Sequence, residues 1–199
     1  MKLIIEQSDW SVYRRFVSLC CVSTLPQPAG KCWIGRLMND NEDVIIEPEV
    51  AFIGYNYPFR HNHYRQIALP ELQKMNPRRA LCYTNRHVRT LSRVMVKPGF
   101  RGSGIALCMV QYTLPLVGVR YIECNTFTSK IAGILKKSGF VWFGRAASDT
   151  CDYYCFDSVT ASGQRAAIAL PPSELSRIPT VQAVAKSNTP CEVVSSSKM

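Results

Sequence analysis

Six consecutive residues, Arg101-Gly102-Ser103-Gly104-Ile105-Ala106, set a cation, two glycines and a hydroxyl ahead of an apolar stretch. A diphosphate needs several backbone N–H groups converging on it, and a helix entered through a glycine turn supplies them with a favourable dipole. Gly102 and Gly104 remove the Cβ atoms that would block a phosphate, and Ser103 adds a hydroxyl donor. Ala106 is small enough for the helix to approach its strand. So short a glycine pattern also serves as a plain strand-to-helix turn with no ligand, and its neighbours must decide between the two.

A second group lies upstream. From Arg60 to Arg101 there are ten Lys or Arg residues against one acid, Glu71. Pro58-Phe59-Arg60-His61-Asn62-His63-Tyr64-Arg65 mixes cations with rings, which lets a surface neutralise phosphates and stack an exposed base. Arg78, Arg79 and Arg86 extend the same sign, making Arg60, His61, His63, Tyr64, Arg65, Arg78, Arg79 and Arg86 candidate nucleic-acid contacts. The bland alternative is a solvated basic face. His61-x-His63 has no adjacent carboxylate, so no metal is expected there. The whole chain carries a formal net charge of +10 and a sequence pI near 9.3, which favours polyanionic partners and disfavours polycationic ones.

These groups need elements to hold them. Lys2 to Glu6 reads as a strand, and Ser8-Asp9 caps a helix whose stripe is Trp10, Tyr13, Phe16, Val17 and Cys20. Pro26 to Gly30 is a loop, and Cys32 to Met38 and Val50 to Tyr57 read as short strands around the acidic turn Asn39 to Asp43. Leu91 to Val96 is a strand ended by Lys97-Pro98, and Gly102 to Leu114 a helix. Val119 to Asn125 is a strand, Ser129 to Lys137 a second helix, and Val141 to Arg145 and Tyr153 to Asp157 close the series as strands. After Ser158 the composition shifts to Ala, Ser, Pro and Thr without a period. The expectation is one domain over 1–157 and a disordered tail over 158–199. The nine cysteines are scattered through apolar stretches and read as buried thiols of a reducing compartment. No window reaches a membrane span and no signal sequence is evident, so a cytoplasmic protein is expected.

Arg-x-x-Gly-x-Ala between an apolar strand and a helix, followed by strand, helix and Lys136-Lys137-Ser138-Gly139-Phe140, resembles the GNAT acyltransferase superfamily over about a quarter of the chain. The resemblance implies an α/β (α+β) fold with a mixed central sheet flanked by helices. It also implies acetyl-CoA or a related acyl-CoA as cofactor, with the backbone of Met95 and Val96 on its pantetheine arm and residues Arg101 to Ala106 on its diphosphate. The acyl carbonyl would lie where Val94–Val96 and Cys124–Thr126 part. The family's usual thiolate acid, a tyrosine five residues before the Gly-Phe phenylalanine, falls on Leu135 here. Candidate replacements are Asn125, Ser129, Asp149, Tyr153 and Tyr154, against which stand ordinary roles as helix caps and turn residues.

An acyltransferase core with a cationic flank and no thiolate acid resembles the phage Mom-type DNA-modification proteins. That likeness implies double-stranded DNA as partner, the exocyclic N6 of adenine as acceptor, an anti-restriction role and a location in the host cytoplasm. The target base would leave the stack, with Tyr57, Phe59 or Tyr64 to hold it. Two other readings stand beside it. One is an ordinary N-acetyltransferase of a small-molecule or protein amine; the other is a catalytically degenerate nucleic-acid-binding module, for which Leu135 speaks.

Overall fold

A computed structural model describes residues 2–19, 29–39, 45–145, 151–160 and 180–182. Its strands are β1 (Lys2–Ser8), β2 (Ala29–Met38), β3 (Ile45–Asn56), β4 (Val88–Val96), β5 (Tyr121–Thr126), β6 (Val141–Arg145), β7 (Asp152–Asp157) and the short β8 (Thr180–Gln182). They form one sheet in the order β6-β7-β5-β4-β3-β2-β1-β8. The sheet is mixed, as expected: β4/β5 and β1/β8 run parallel and the remaining neighbours antiparallel. β8 comes from the stretch expected to be an unstructured tail; the rest of that stretch beyond residue 160 lies outside the described residues.

Among the described residues, four α-helices flank the sheet: α1 (His63–Ala68), α2 (Pro77–His87), α3 (Ile105–Thr113) and α4 (Ser129–Lys137). Period-two alternation divides the strands between two faces. Ile122, Cys124, Tyr154 and Phe156 join Ile105, Met109, Val110 and Leu135 in the larger core, under α3 and α4. Tyr121, Tyr153 and Cys155 point to the opposite face and pack with Leu69, Leu72 and Val88 beneath α1 and α2. Leu135 is fully buried, and its burial contributes about 2 kcal/mol.

The segment after β1 differs from the expected α-helix. Trp10–Arg15 and Val17–Leu19 are 3₁₀ turns, started by Asp9, whose carboxylate accepts from the Ser11 N–H at 2.8 Å. Trp10, Tyr13 and Phe16 recur every third residue, the repeat of a 3₁₀ helix, and all three rings surround Phe52 at 5.5–5.8 Å. A Cβ on Gly54 would sit 2.4 Å from the Trp10 ring, so this packing requires glycine there.

The basic stretch 60–87, read as a charged surface, folds into α1 and α2. Asn62 caps α1 by accepting from the N–H groups of Tyr64 and Arg65, and Asn76 caps α2 by accepting from Arg79 N–H, with Pro77 in the first turn.

Candidate active site

β4 and β5 pair over only three rungs, Val88↔Tyr121, Arg89↔Ile122 and Thr90↔Glu123. Beyond Thr90, β4 stays paired with β3 as far as Val96, while β5 stays paired with β7 as far as Thr126. The two parallel strands therefore part after the third rung. A register shift at Gly54/Tyr55 leaves Ser92 as the extra residue of β4, and its hydroxyl donates to the Gly54 carbonyl at 3.1 Å. Such a bulge adds twist to one strand and turns it from its neighbour. Past Thr90, the edge of β4 toward β5 carries backbone groups with no strand partner.

This opening leads to the predicted loop. Pro98–Phe100 makes a 3₁₀ turn, then Gly102 and Gly104 adopt φ of 83° and 84°. The left-handed region strains any side chain, which accounts for both glycines. A Cβ at either would meet no atom of the described residues within 4 Å, so the space they face is open among them. Gly104 is the N-cap of α3 and no side chain caps the helix, leaving its first-turn amides for another acceptor. Ser103 does not point its hydroxyl outward as an anion donor; it donates to the Phe100 carbonyl at 2.6 Å and ties the turn together. Arg101 is exposed, and its Nε donates to the Val96 carbonyl at 3.0 Å, holding the cation at the end of β4. Ile105 packs into the core and Ala106 is half-buried. Val96 is half-buried beside the splay, but Met95 faces the other way, into the cluster of Tyr13, Phe16 and Phe52.

On the α1/α2 face, the third rung carries a buried polar cluster that sequence reasoning missed. Glu123, 1% exposed, accepts from Arg65 Nη2 (2.7 Å) and Thr90 Oγ1 (2.8 Å) at Oε1. Its Oε2 accepts from Arg65 Nε (2.8 Å) and Tyr153 Oη (2.9 Å). A buried carboxylate costs several kcal/mol unless paired and hydrogen-bonded, and here four donors converge on it. Burial and the neighbouring Glu123 charge push the Tyr153 phenol well above the ordinary tyrosine range. Cys124, on the opposite face, is pushed up to about 12 by burial and then by Glu123, and is no nucleophile. The available signal was one acid in an otherwise apolar stretch, Tyr121-Ile122-Glu123-Cys124, at a position whose strand neighbours are buried.

Between α1 and α2 lies a cleft of about 1110 Å³. Arg60, His61, His63, Arg65 and Arg78 line it together with Gln66 and Thr84, and no acidic side chain among the described residues does. Tyr64 stacks on Tyr153 (centroids 6.0 Å apart, planes 24°), and Tyr153 pairs with Asn125, so α1 begins over the splayed end of β5.

The sequence-predicted residues separate accordingly. Arg65 is 3% exposed and bound to Glu123, so it is a buried partner and not a free phosphate ligand. Tyr64 is half-buried against Tyr153, which occupies the face a base would stack on. Tyr57 lies under Arg89, whose guanidinium carbon is 4.0 Å from the ring centroid, while Phe59 is 62% exposed. Arg79 and Arg86 are exposed on α2 outside the cleft lining. Asn125 is exposed on splayed β5, and Ser129 is exposed in the first turn of α4, whose N-cap is Thr128. Asp149 lies outside the described residues. Among the described residues, no group of three or more metal-ligating side chains gathers and no helix is long and apolar enough to cross a membrane.

No family model matches the chain, and no curated protein does. Solved structures do. AAC(6')-Ib in complex with paromomycin and acetyl-CoA aligns with a TM-score of 0.54 at 12% identity, over 83% of this chain and 98% of that one. The IAA acetyltransferase from Bacillus cereus ATCC 14579 aligns at 0.51 with 9% identity, over 78% and 99%. A domain from Methanocaldococcus jannaschii aligns at 0.50 with 11% identity, over 78% and 98%. At such identities the likeness is one of fold: the chain has the GNAT acetyltransferase fold.

Proposed function

We propose that this chain transfers an acyl group from an acyl-coenzyme A to an amine. The observation that carries the reading is the continuity of the β4/β5 splay with an uncapped, glycine-entered helix: strand-edge groups lead directly to free first-turn amides. The residues fit the cofactor. The amides around Gly102 to Ala106 would take the diphosphate, Arg101 would add its charge, and the edge of β4 at Val96 would bond the amide-bearing arm, whereas Met95 turns its backbone groups to β3. When bound, acyl-CoA supplies an activated carbonyl as a thioester. The chain contributes orientation, unpaired backbone donors beside that carbonyl, and a cationic surround. Arg60 and Arg78 in the cleft favour the neutral form of an incoming amine, the form that attacks.

The acceptor class we favour is the exocyclic N6 of adenine in double-stranded DNA, a modification of the anti-restriction kind. In support are the +10 charge, a cleft lined by Arg60, Arg78 and two histidines with no acid among its described lining, and a volume large enough for an extruded nucleotide. The paromomycin bound to one fold neighbour is a polycation, a class of compound that this cleft would repel. An ordinary amine acetyltransferase is the second reading, supported by the fold shared with the IAA acetyltransferase. The test incubates the protein with acetyl-CoA and duplex DNA, digests the DNA and weighs its nucleosides. Acyl transfer to adenine predicts a deoxyadenosine heavier by the acyl group. Unmodified adenine alongside acylation of a small or protein amine would select the second reading.

A further inference from the structure

The missing tyrosine on α4 leaves the departing sulfur without a proton donor, and the fold offers a phenol from another strand. Resting on the acyl-coenzyme A reading, we propose that Tyr154 of β7 protonates the coenzyme A sulfur, taking over the role that Leu135 cannot perform. Strand alternation separates Tyr154 from its neighbour: Tyr153 turns to Glu123 under α1, whereas Tyr154 turns to the α3/α4 face and shares its core with Leu135. Tyr154 is the cross-strand partner of Cys124, the first residue of β5 past the last β4/β5 rung. Cys124 is a small neighbour for that phenol, on the same face of the sheet.

Among the described residues, the other buried tyrosines have hydroxyl partners. Tyr13 Oη accepts from Arg93, Tyr55 Oη meets Thr113, Tyr121 Oη donates to Glu71 and Tyr153 Oη donates to Glu123. Tyr154 is only 2% exposed, yet its hydroxyl pairs with no described group. Nor is its oxygen sealed off, as Arg36 Nε, Asn56 Oδ1 and Ser138 Oγ are. Its donor is uncommitted, on the strand position opposite the first residue of β5 that β4 no longer pairs. Burial holds this phenol above the ordinary tyrosine range, so it stays protonated at neutral pH.

In the step, the amine nitrogen bonds to the acyl carbon, and the carbon–sulfur bond breaks with its electron pair going to sulfur. The Tyr154 proton passes to sulfur. The proton lost by the nitrogen goes to solvent, from which the phenolate is reprotonated.

The test needs no acceptor. In the wild type, a phenol donating to sulfur stabilises the thiolate of bound coenzyme A, read by its ultraviolet absorbance across a pH titration. Tyr154→Phe removes only the hydroxyl, and the thiolate fraction at pH 8 should fall about tenfold. As a check that does not depend on a variant, the wild type at pH 9 should bind coenzyme A about tenfold more tightly than desulfo-coenzyme A. Equal affinities in the wild type, or the same thiolate titration in both proteins, would overturn the assignment of Tyr154 and leave the acyl-coenzyme A reading in place. Failure of the wild type to bind either compound would overturn both.

Discussion

At the head of α3 the groups that would meet a ligand are peptide N–H groups, and glycine keeps side chains away from them. In the cleft between α1 and α2 they are guanidinium and imidazole groups, one of which, Arg65, is bound to a buried carboxylate on β5. The first region needs only a local backbone shape, so it is sensitive at Gly102 and Gly104 and tolerant elsewhere. The second draws on residues from Arg60 to Tyr153 and depends on Glu123, which touches α1, β4 and β7 at once. Recognition of a constant chemical group suits the first design. Recognition of a variable acceptor suits the second, whose lining can change while its anchor stays.

The largest difference between the regions should appear on unfolding. Glu123→Gln leaves the Arg65 guanidinium buried without its counter-charge and should cost about 3–5 kcal/mol in urea denaturation. Gly104→Asp puts a side chain at φ 84° and a carboxylate before the diphosphate. It should cost only about 1–2 kcal/mol of stability and abolish coenzyme A binding in isothermal titration. If Glu123→Gln were no more destabilising than Gly104→Asp, the contrast would fail.

A smaller effect sharpens the cleft itself. Arg78 lines it and Arg79 does not. Arg78→Ala should lower the salt slope of duplex DNA binding by about one, and Arg79→Ala should lower it less. Equal slopes would place the DNA surface outside the cleft. The smallest effect is on alkaline stability. A phenol raised in the folded state favours the folded protein below the pH at which free tyrosine ionises, about 10. That contribution is lost as pH rises beyond it. Since Tyr153 is held high by burial and by Glu123, Tyr153→Phe should flatten the fall in stability between about pH 10 and 11. An unchanged slope would mean that neither burial nor the carboxylate raises this phenol.

Legibility in the sequence followed the same division. α4 and β6 lie where periodicity put them, at Ser129–Lys137 and Val141–Arg145, because both are governed by local pattern and a Ser-Gly break. The two positive-φ glycines and the strand-to-helix turn could be read for a similar reason: the backbone conformation selects the residue type. Trp10 to Phe16 misled because three aromatic residues at a spacing of three fit either helix type, and only Phe52, brought near by β3, decides between them. Stretch 60–87 read as charge alone although Asn62 and Asn76-Pro77 are helix starts, since the apolar faces of α1 and α2 are short. Arg65 looked like one more surface cation; its partner is 58 residues away, and no local signal pairs them. Glu123 carries no local signal beyond being one acid between apolar residues, and the partners that make it an anchor lie on α1, β4 and β7.

The central claim is that the amides entering α3 hold the diphosphate of an acyl-coenzyme A whose thioester lies between β4 and β5. A crystal structure of the protein with coenzyme A tests it most directly. The account predicts phosphate oxygens within hydrogen-bonding distance of the N–H groups of residues 102 to 106 and the sulfur beside Cys124 and Tyr154. Phosphates bound in the arginine-lined cleft instead, with the head of α3 bare, would contradict it.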